Sequence, residues 1–147
     1  MTRTPPLLET ANVFQEVVNR ISHQLGKVVE IMNGNSVTLP QILILRRIQL
    51  AGGCTPSELS KKMSMSISSI SQIADRLYNL ELIVRHDDKS DRRKKKLVIT
   101  KRAETLLKKI VKARSEEYAQ GISILPASLR GELHQVLSKC LAEIGGQ

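Results

Sequence analysis

The stretch that decides the fold runs from Thr55 to Leu77, TPSELSKKMSMSISSISQIADRL. Thr55-Pro56-Ser57-Glu58 is a helix start. Threonine caps, proline suits the first helical position because its missing N–H has no intrahelical acceptor there, and Glu58 reaches back to the cap. Only a short helix fits before Met63 to Met65. A second helix follows with Ser66 as its cap. Its inner face is Ile67, Ile70, Ala74 and Leu77, while Ser68, Ser69, Gln72 and Arg76 point elsewhere. Two short helices joined by a tight turn, the second polar on its outer face, form a helix-turn-helix, although this turn lacks the usual glycine.

Upstream, Thr38 with Gln41 three residues on is a capping-box start. Ile42, Leu43, Ile44, Leu45 and Ile48 follow, apolar nearly all round, which predicts a helix buried at the centre of the domain, ended by Gly52 and Gly53. Residues 8 to 33 read as one long helix on the stripe Phe14, Val17, Val18, Ile21, Leu25, Val28, Val29 and Met32. Asn33, Gly34 and Asn35 stop it by accepting the left-handed conformation.

Downstream, Leu82-Ile83-Val84 and Leu97-Val98-Ile99 are β-prone runs flanking HDDKSDRRKKK, a two-stranded hairpin with a charged tip. Thr100 then starts a helix carrying Ala103, Leu106, Leu107, Ile110 and Val111 inward to about Gln120, with a break over Gly121 to Pro126. A last helix bears Leu129, Leu133, Val136, Leu137, Cys140, Leu141 and Ile144. Gly131 inside it costs about 1 kcal/mol relative to alanine, so this helix needs tertiary support.

The expected fold is mainly α with a small β-hairpin wing. Residues 36–100 form a winged helix-turn-helix domain, 1–35 and 121–147 are dimerisation helices, and 101–120 is the helix linking the two. Dimerisation is expected from the broad apolar faces of the first and last helices, which the small central domain cannot cover, the alternative being that the two helices cover each other within one chain.

The 147 residues carry 23 Lys and Arg against 14 acids, a net +9. Net charge alone fits a basic soluble surface as well as a polyanionic partner. Position favours the second. From Arg85 to Arg102 nine basic residues face three acids, so +6 of the +9 lies in 18 residues directly after the helix-turn-helix. Arginines at a hairpin tip suit the narrow, strongly negative minor groove of duplex DNA. Asp91 among them is read as holding a neighbouring guanidinium in place, with a turn residue as the alternative. Aromatic residues make up only 2%, which argues against single-stranded nucleic acid, whose binding leans on stacking.

TLPQILIL (38–45), TPSELSKKMSMSISSISQIADRL (55–77) and DKSDRRKKKLVIT (88–100) together resemble the multiple-antibiotic-resistance regulator (MarR) family, in order and spacing across roughly residues 38 to 107. The resemblance implies a transcriptional regulator whose outer helices intertwine two chains and whose winged domains each place one helix in the major groove of double-stranded DNA. By residue it implies that Ser68 and Ser69 open the recognition helix, that Gln72 faces the bases, that Arg93 enters the minor groove and that Asp91 is its partner. Ser66, Arg76, Arg92, Lys94 and Lys95 complete the candidate contacts, chiefly to phosphates, with an internal salt bridge as the alternative for Arg76. Glu81 stands where the family has Gly after the recognition helix, and Ala103 replaces the Gly after the wing. If the backbone at residue 81 needs a positive φ, Glu81 is strained.

The family further implies a regulator, often a repressor, that acts on a pseudo-palindromic operator and responds to a small-molecule effector or to thiol oxidation. No effector residues are assigned. The family's peroxide sensors carry a cysteine near the start of the first helix, and residues 1–33 hold none. Cys54, expected to be partly exposed, and Cys140, on an apolar helical position, are read as structural thiols. His23, His86 and His134 are scattered without metal-ligand spacing, so neither a metal nor a cofactor is expected. No catalytic motif is present, so the chain is not expected to be an enzyme. With neither a cleavable leader nor a long apolar run, a cytoplasmic protein with no membrane partner is expected. The rival reading is a winged-helix interaction module whose basic wing meets an acidic protein.

Overall fold

The computed structural model describes residues 5–22, 26–87 and 95–145. Its elements in chain order are α1 (Leu7–Ile21), α2 (Gly26–Gly34), α3 (Leu39–Leu50), α4 (Pro56–Met63), α5 (Ile67–Asn79), β1 (Ile83–Asp87), β2 (Lys95–Ile99), α6 (Lys101–Ser123) and α7 (Ala127–Ile144). The fold is mainly helical with one antiparallel hairpin, as expected. The chain divides into two compact units: Gly26–Ala113, and Met1–Leu25 with Arg114–Gln147.

In the first of these, the core is built from one face of every element. Ile44, Leu45 and Ile48 of α3, Leu59 of α4, Ile70 and Leu77 of α5, Ile83 of β1 and Leu97 of β2 are all essentially inaccessible to solvent. Ala103, Leu106 and Leu107 of α6 join the same cluster. Burying such side chains is worth about 1.5–3 kcal/mol each, which is what orders the short helices α4 and α5. Leu43, with Leu39 and Leu50 at the helix ends, stays exposed. The buried helix α3 is therefore covered on one side, not all round.

Both capping boxes form. The Thr38 N–H donates to Gln41 Oε1 at 2.8 Å, and the Thr55 N–H donates to Glu58 Oε2 at 2.8 Å. At the other ends, α2, α3, α4 and α5 close in the same way. The N–H of a residue just past the helix end returns to a carbonyl five residues back: Val37 to Met32, Gly53 to Ile48, Met65 to Ser60 and Leu82 to Leu77. This motif needs a left-handed residue just before that donor. Gly52 supplies it once, with φ 61°; elsewhere it is Ser36 (54°), Ser64 (52°) and Glu81 (58°). The stop after α2 thus rests on Ser36, not on Asn33, Gly34 or Asn35.

Cys54 and Leu97 exchange backbone hydrogen bonds, 3.1 Å from the Cys54 N–H and 2.8 Å from the Leu97 N–H, so the base of the wing has a third extended segment that the sequence did not announce. Gly53 permits it. Its φ is 104°, and a Cβ there would lie 3.1 Å from the Leu97 carbonyl oxygen. Cys54 is buried, not partly exposed, and Cys140 is exposed. Burial, and then the nearby Glu58 carboxylate, push the Cys54 thiol above its ordinary range.

In the other unit the helices differ from the sequence expectation. The helix predicted over residues 8–33 is divided: α1 ends at Ile21, with Ser22 at φ −98°, ψ 54°, and α2 begins at Gly26. The predicted break at Gly121 is absent, because α6 runs through it to Ser123. A Cβ on residue 121 would lie 2.5 Å from the Ile21 carbonyl oxygen, so the glycine serves a close helix approach where α1 ends, rather than a helix stop. Neither α1 nor α7 contains a buried residue. Leu7, Val13, Phe14 and Val17 on α1 and Val136, Leu137, Leu141 and Ile144 on α7 are all exposed.

Candidate nucleic-acid interface

The turn between α4 and α5 is closed from both sides by Ser60. Its hydroxyl donates to the Met65 carbonyl oxygen at 2.7 Å, and its carbonyl accepts the Met65 N–H at 3.2 Å. Ser64 takes the left-handed position between them, which replaces the absent glycine. Ser66 then caps α5 by accepting the Ser69 N–H at 3.0 Å, and the two hydroxyls are bonded to each other at 2.8 Å.

Ile70, Ala74 and Leu77 anchor α5 in the core. A helical turn repeats every 3.6 residues, so the opposite face presents Ser68, Gln72, Asp75 and Asn79, all exposed. Ser66 and Ser69 are committed to the cap, whereas Ser68 and Gln72 make no side-chain hydrogen bond among the described residues. Ile67, expected on the inner face, is 56% exposed at the first position of α5, because the helix axis carries its side chain past the rim of the core. Sequence reasoning missed it as a candidate. An apolar side chain beside Ser68 suits the methyl group of thymine. Arg76 is exposed, without an ion pair among the described residues. It lines a hollow of about 320 Å³ with Asn79, Leu80, and Ser36, Thr38 and Gln41 at the start of α3.

The strands pair in the register Ile83 with Ile99, Arg85 with Leu97 and Asp87 with Lys95. Alternation puts these six side chains on one face and Val84, His86, Lys96 and Val98 on the other. On the first face the buried Ile83 and Leu97 give way outward to two ion pairs. Arg85 Nη2 donates to Asp75 Oδ1 of α5, and Lys95 Nζ donates to Asp87 Oδ1. The Arg85 guanidinium also lies 5.3 Å from the centre of the Tyr78 ring. Lys95 is therefore a cation already paired, while Lys96 lies on the opposite face, over Gly53. The Arg85–Asp75 pair, separated by ten residues, had no local sequence signal. Asp91, Arg92, Arg93 and Lys94 lie outside the described residues.

Among the described residues no group of three or more His, Cys, Asp or Glu side chains can hold a metal ion, and no single helix is long and apolar enough to cross a membrane. What the arrangement offers is an exposed polar helix face bonded to the strand of a basic hairpin.

Comparison with known proteins agrees with this geometry. The model of the MarR family matches residues 37–95. The chain is 34% identical to the HTH-type transcriptional regulator YxaD of Bacillus subtilis (strain 168) over 104 residues, 69% of this chain and 73% of YxaD. The transcriptional regulator Tm0710 from Thermotoga maritima superposes with a TM-score of 0.78 at 20% identity, covering 95% of this chain and 99% of that one. A point mutant of S. aureus MepR, bound to an oligodeoxyribonucleotide, superposes with a TM-score of 0.64 at 17% identity, covering 97% and 99%. With its helix-turn-helix, its wing and these relatives, the chain belongs to the MarR family of winged helix-turn-helix transcriptional regulators.

Proposed function

We propose that this chain is a sequence-specific double-stranded DNA-binding repressor that acts as a homodimer on a pseudo-palindromic operator in the cytoplasm and has no enzymatic role. The observation that carries the reading is the exposed Ser68–Gln72 face of α5, held by Asp75 to the first strand of a basic hairpin. A helix of this kind fits the major groove, and a hairpin rich in Arg and Lys fits the adjacent minor groove. The DNA-bound state of the MepR mutant, which shares the fold, supports the same reading.

In this reading Gln72 and Ser68 read base edges, with Ile67 beside them against thymine. Arg93 enters the minor groove with Asp91 as its partner. Arg76, Arg92, Lys94 and Lys95 contact phosphates, Lys95 at the expense of its bond to Asp87. Ser66 and Ser69 contribute chiefly by capping the helix, whose N-terminal dipole favours an anionic phosphate. Two copies pair through α1 and α7, and a small molecule that binds one spacing of the two recognition helices better than the other releases the operator.

The test is a fluorescence-anisotropy titration with a palindrome from the gene's own promoter and a scrambled duplex, over a series of salt concentrations. Sub-micromolar, salt-sensitive binding to the palindrome supports the regulator; failure on every duplex favours the interaction module. Arg93→Ala weakens binding and lowers the salt slope by about one. Gln72→Ala removes about 1–3 kcal/mol of discrimination between the two duplexes.

A further inference from the structure

Asp75 stands on the outward face of α5 beside Ser68 and Gln72. A bare carboxylate there meets DNA phosphates with like charge. It is engaged instead by Arg85, whose guanidinium bonds Asp75 Oδ1 and also lies 5.3 Å from the centre of the Tyr78 ring. Asp75 and Tyr78 are three residues apart and share one side of the helix. One side chain from β1 therefore spans two groups on α5, at the point where the hairpin leaves the core: Arg85 lies opposite the buried Leu97, one step inward of the Asp87–Lys95 pair.

We propose that Arg85 is a positioning residue for DNA binding, fixing the hairpin against the recognition helix through Asp75 and Tyr78 so that both reach one duplex as a rigid body. The inference rests on the DNA-binding reading above. Two contacts on one rigid body give the second contact a high effective concentration once the first is made. A hairpin free to swing has to be ordered at the moment of binding, and that ordering is subtracted from the affinity. The Arg85 and Asp75 side chains are 37% and 62% exposed, so the pair adds little to folding stability. Its effect belongs to binding.

The sign of one substitution separates positioning from simple charge. If Asp75 acted only through its charge, Asp75→Asn would tighten binding by removing an acid from a DNA-facing helix. Positioning predicts the opposite: Asp75→Asn and Arg85→Ala each weaken binding to the promoter palindrome by about tenfold. The double variant is no worse than the worse single one, and the salt slope of Arg85→Ala equals that of the wild type. Thermal melts within a few degrees of wild type establish that both variants are folded. Tighter or unchanged binding by Asp75→Asn overturns the proposal. So does a salt slope lower by about one in Arg85→Ala, which marks a direct phosphate contact. If the wild-type chain binds no duplex, the DNA-binding reading falls and the inference with it; if it binds and Asp75→Asn matches it, the positioning role falls alone.

Discussion

The hydroxyl of Thr100 donates to the carbonyl oxygen of Glu81 at 2.8 Å, tying the start of α6 to the left-handed residue between α5 and β1. The same hydroxyl oxygen caps α6 by accepting the Ala103 N–H at 3.3 Å. Thr100 therefore holds both ends of the wing in one place. Thr100→Val, which keeps the shape and removes the hydroxyl, is expected to destabilise the fold by about 1–2 kcal/mol, the worth of a lost cap and a lost hydrogen bond. Glu81→Gly is expected to act in the other direction. A non-glycine residue in the left-handed region costs about 1–2 kcal/mol. Glycine recovers most of that, less its larger entropy in the unfolded chain and an exposed ion pair with Arg102. A net gain of about 0.5 kcal/mol results. Chemical denaturation that ranks the three proteins otherwise contradicts this account.

Ser60 and Ser64 share the same logic within the helix-turn-helix. Ser60→Ala loses the bond to the Met65 carbonyl and is expected to cost about 1 kcal/mol, and Ser64→Gly is expected to stabilise the turn. Because the turn sets the direction in which α5 leaves α4, Ser60→Ala should weaken operator binding by more than its loss of stability explains. An affinity unchanged in a fully folded Ser60→Ala protein removes the turn from the recognition argument.

These positions mark where sequence reading succeeded and where it stopped. The starts of α3 and α4 were legible because a capping residue and its partner sit three positions apart, and Thr38–Gln41 and Thr55–Glu58 bond as their spacing allows; the start of α5 was legible from Ser66 alone, which caps through the Ser69 N–H. The strain at Glu81 was legible only through the resemblance, because the family has Gly at that position. The ends at Ser36 and Ser64 were not, since serine carries no preference for that conformation. Contacts between distant segments left no trace either. Nothing in Gly121 tells a helix stop from a close approach to Ile21, nothing in Cys54 announces a bridge to Leu97, and nothing in Arg85 names Asp75 as its partner. The candidate site was readable as a polar helix face followed by a basic run, but the coupling between the two was not.

The two thiols should differ sharply in chemistry. Cys54 is 2% exposed and its thiol is pushed upward by burial, while Cys140 is exposed on α7. In folded protein at about pH 8 a thiol-modifying reagent should label Cys140 as fast as a dimer paired through α7 dissociates, and Cys54 only as fast as the domain opens. The same shift gives an alkaline limb to stability. Above the ordinary thiol range, near about pH 8.5, the unfolded chain releases the Cys54 proton while the folded chain keeps it. Stability is then fully present below that pH and falls as the pH rises toward the raised folded value. Cys54→Ala should flatten that limb. Equal labelling rates for the two cysteines in the native protein rule the assignment out.

The exposed stripes of α1 and α7 bear most directly on assembly. Phe14 is 62% exposed and Leu141 70%, and neither helix holds a buried residue. Apolar surface on this scale is rare on a stable monomer and is covered when a second copy presents the same stripes across a two-fold axis. Val136→Glu combined with Leu141→Glu sets two carboxylates from each copy at such an interface and should yield monomer at micromolar concentration in sedimentation equilibrium, where the wild type should be a dimer. The core of the Gly26–Ala113 unit contains neither residue, so the variant should keep its helical signal. Its affinity for a palindrome should fall by about a hundredfold or more, because each half-site then binds without the effective concentration its neighbour supplied. A single half-site duplex should bind wild type and variant alike, and that equality is the decisive control: a variant that loses half-site binding as well has lost its fold, not its partner.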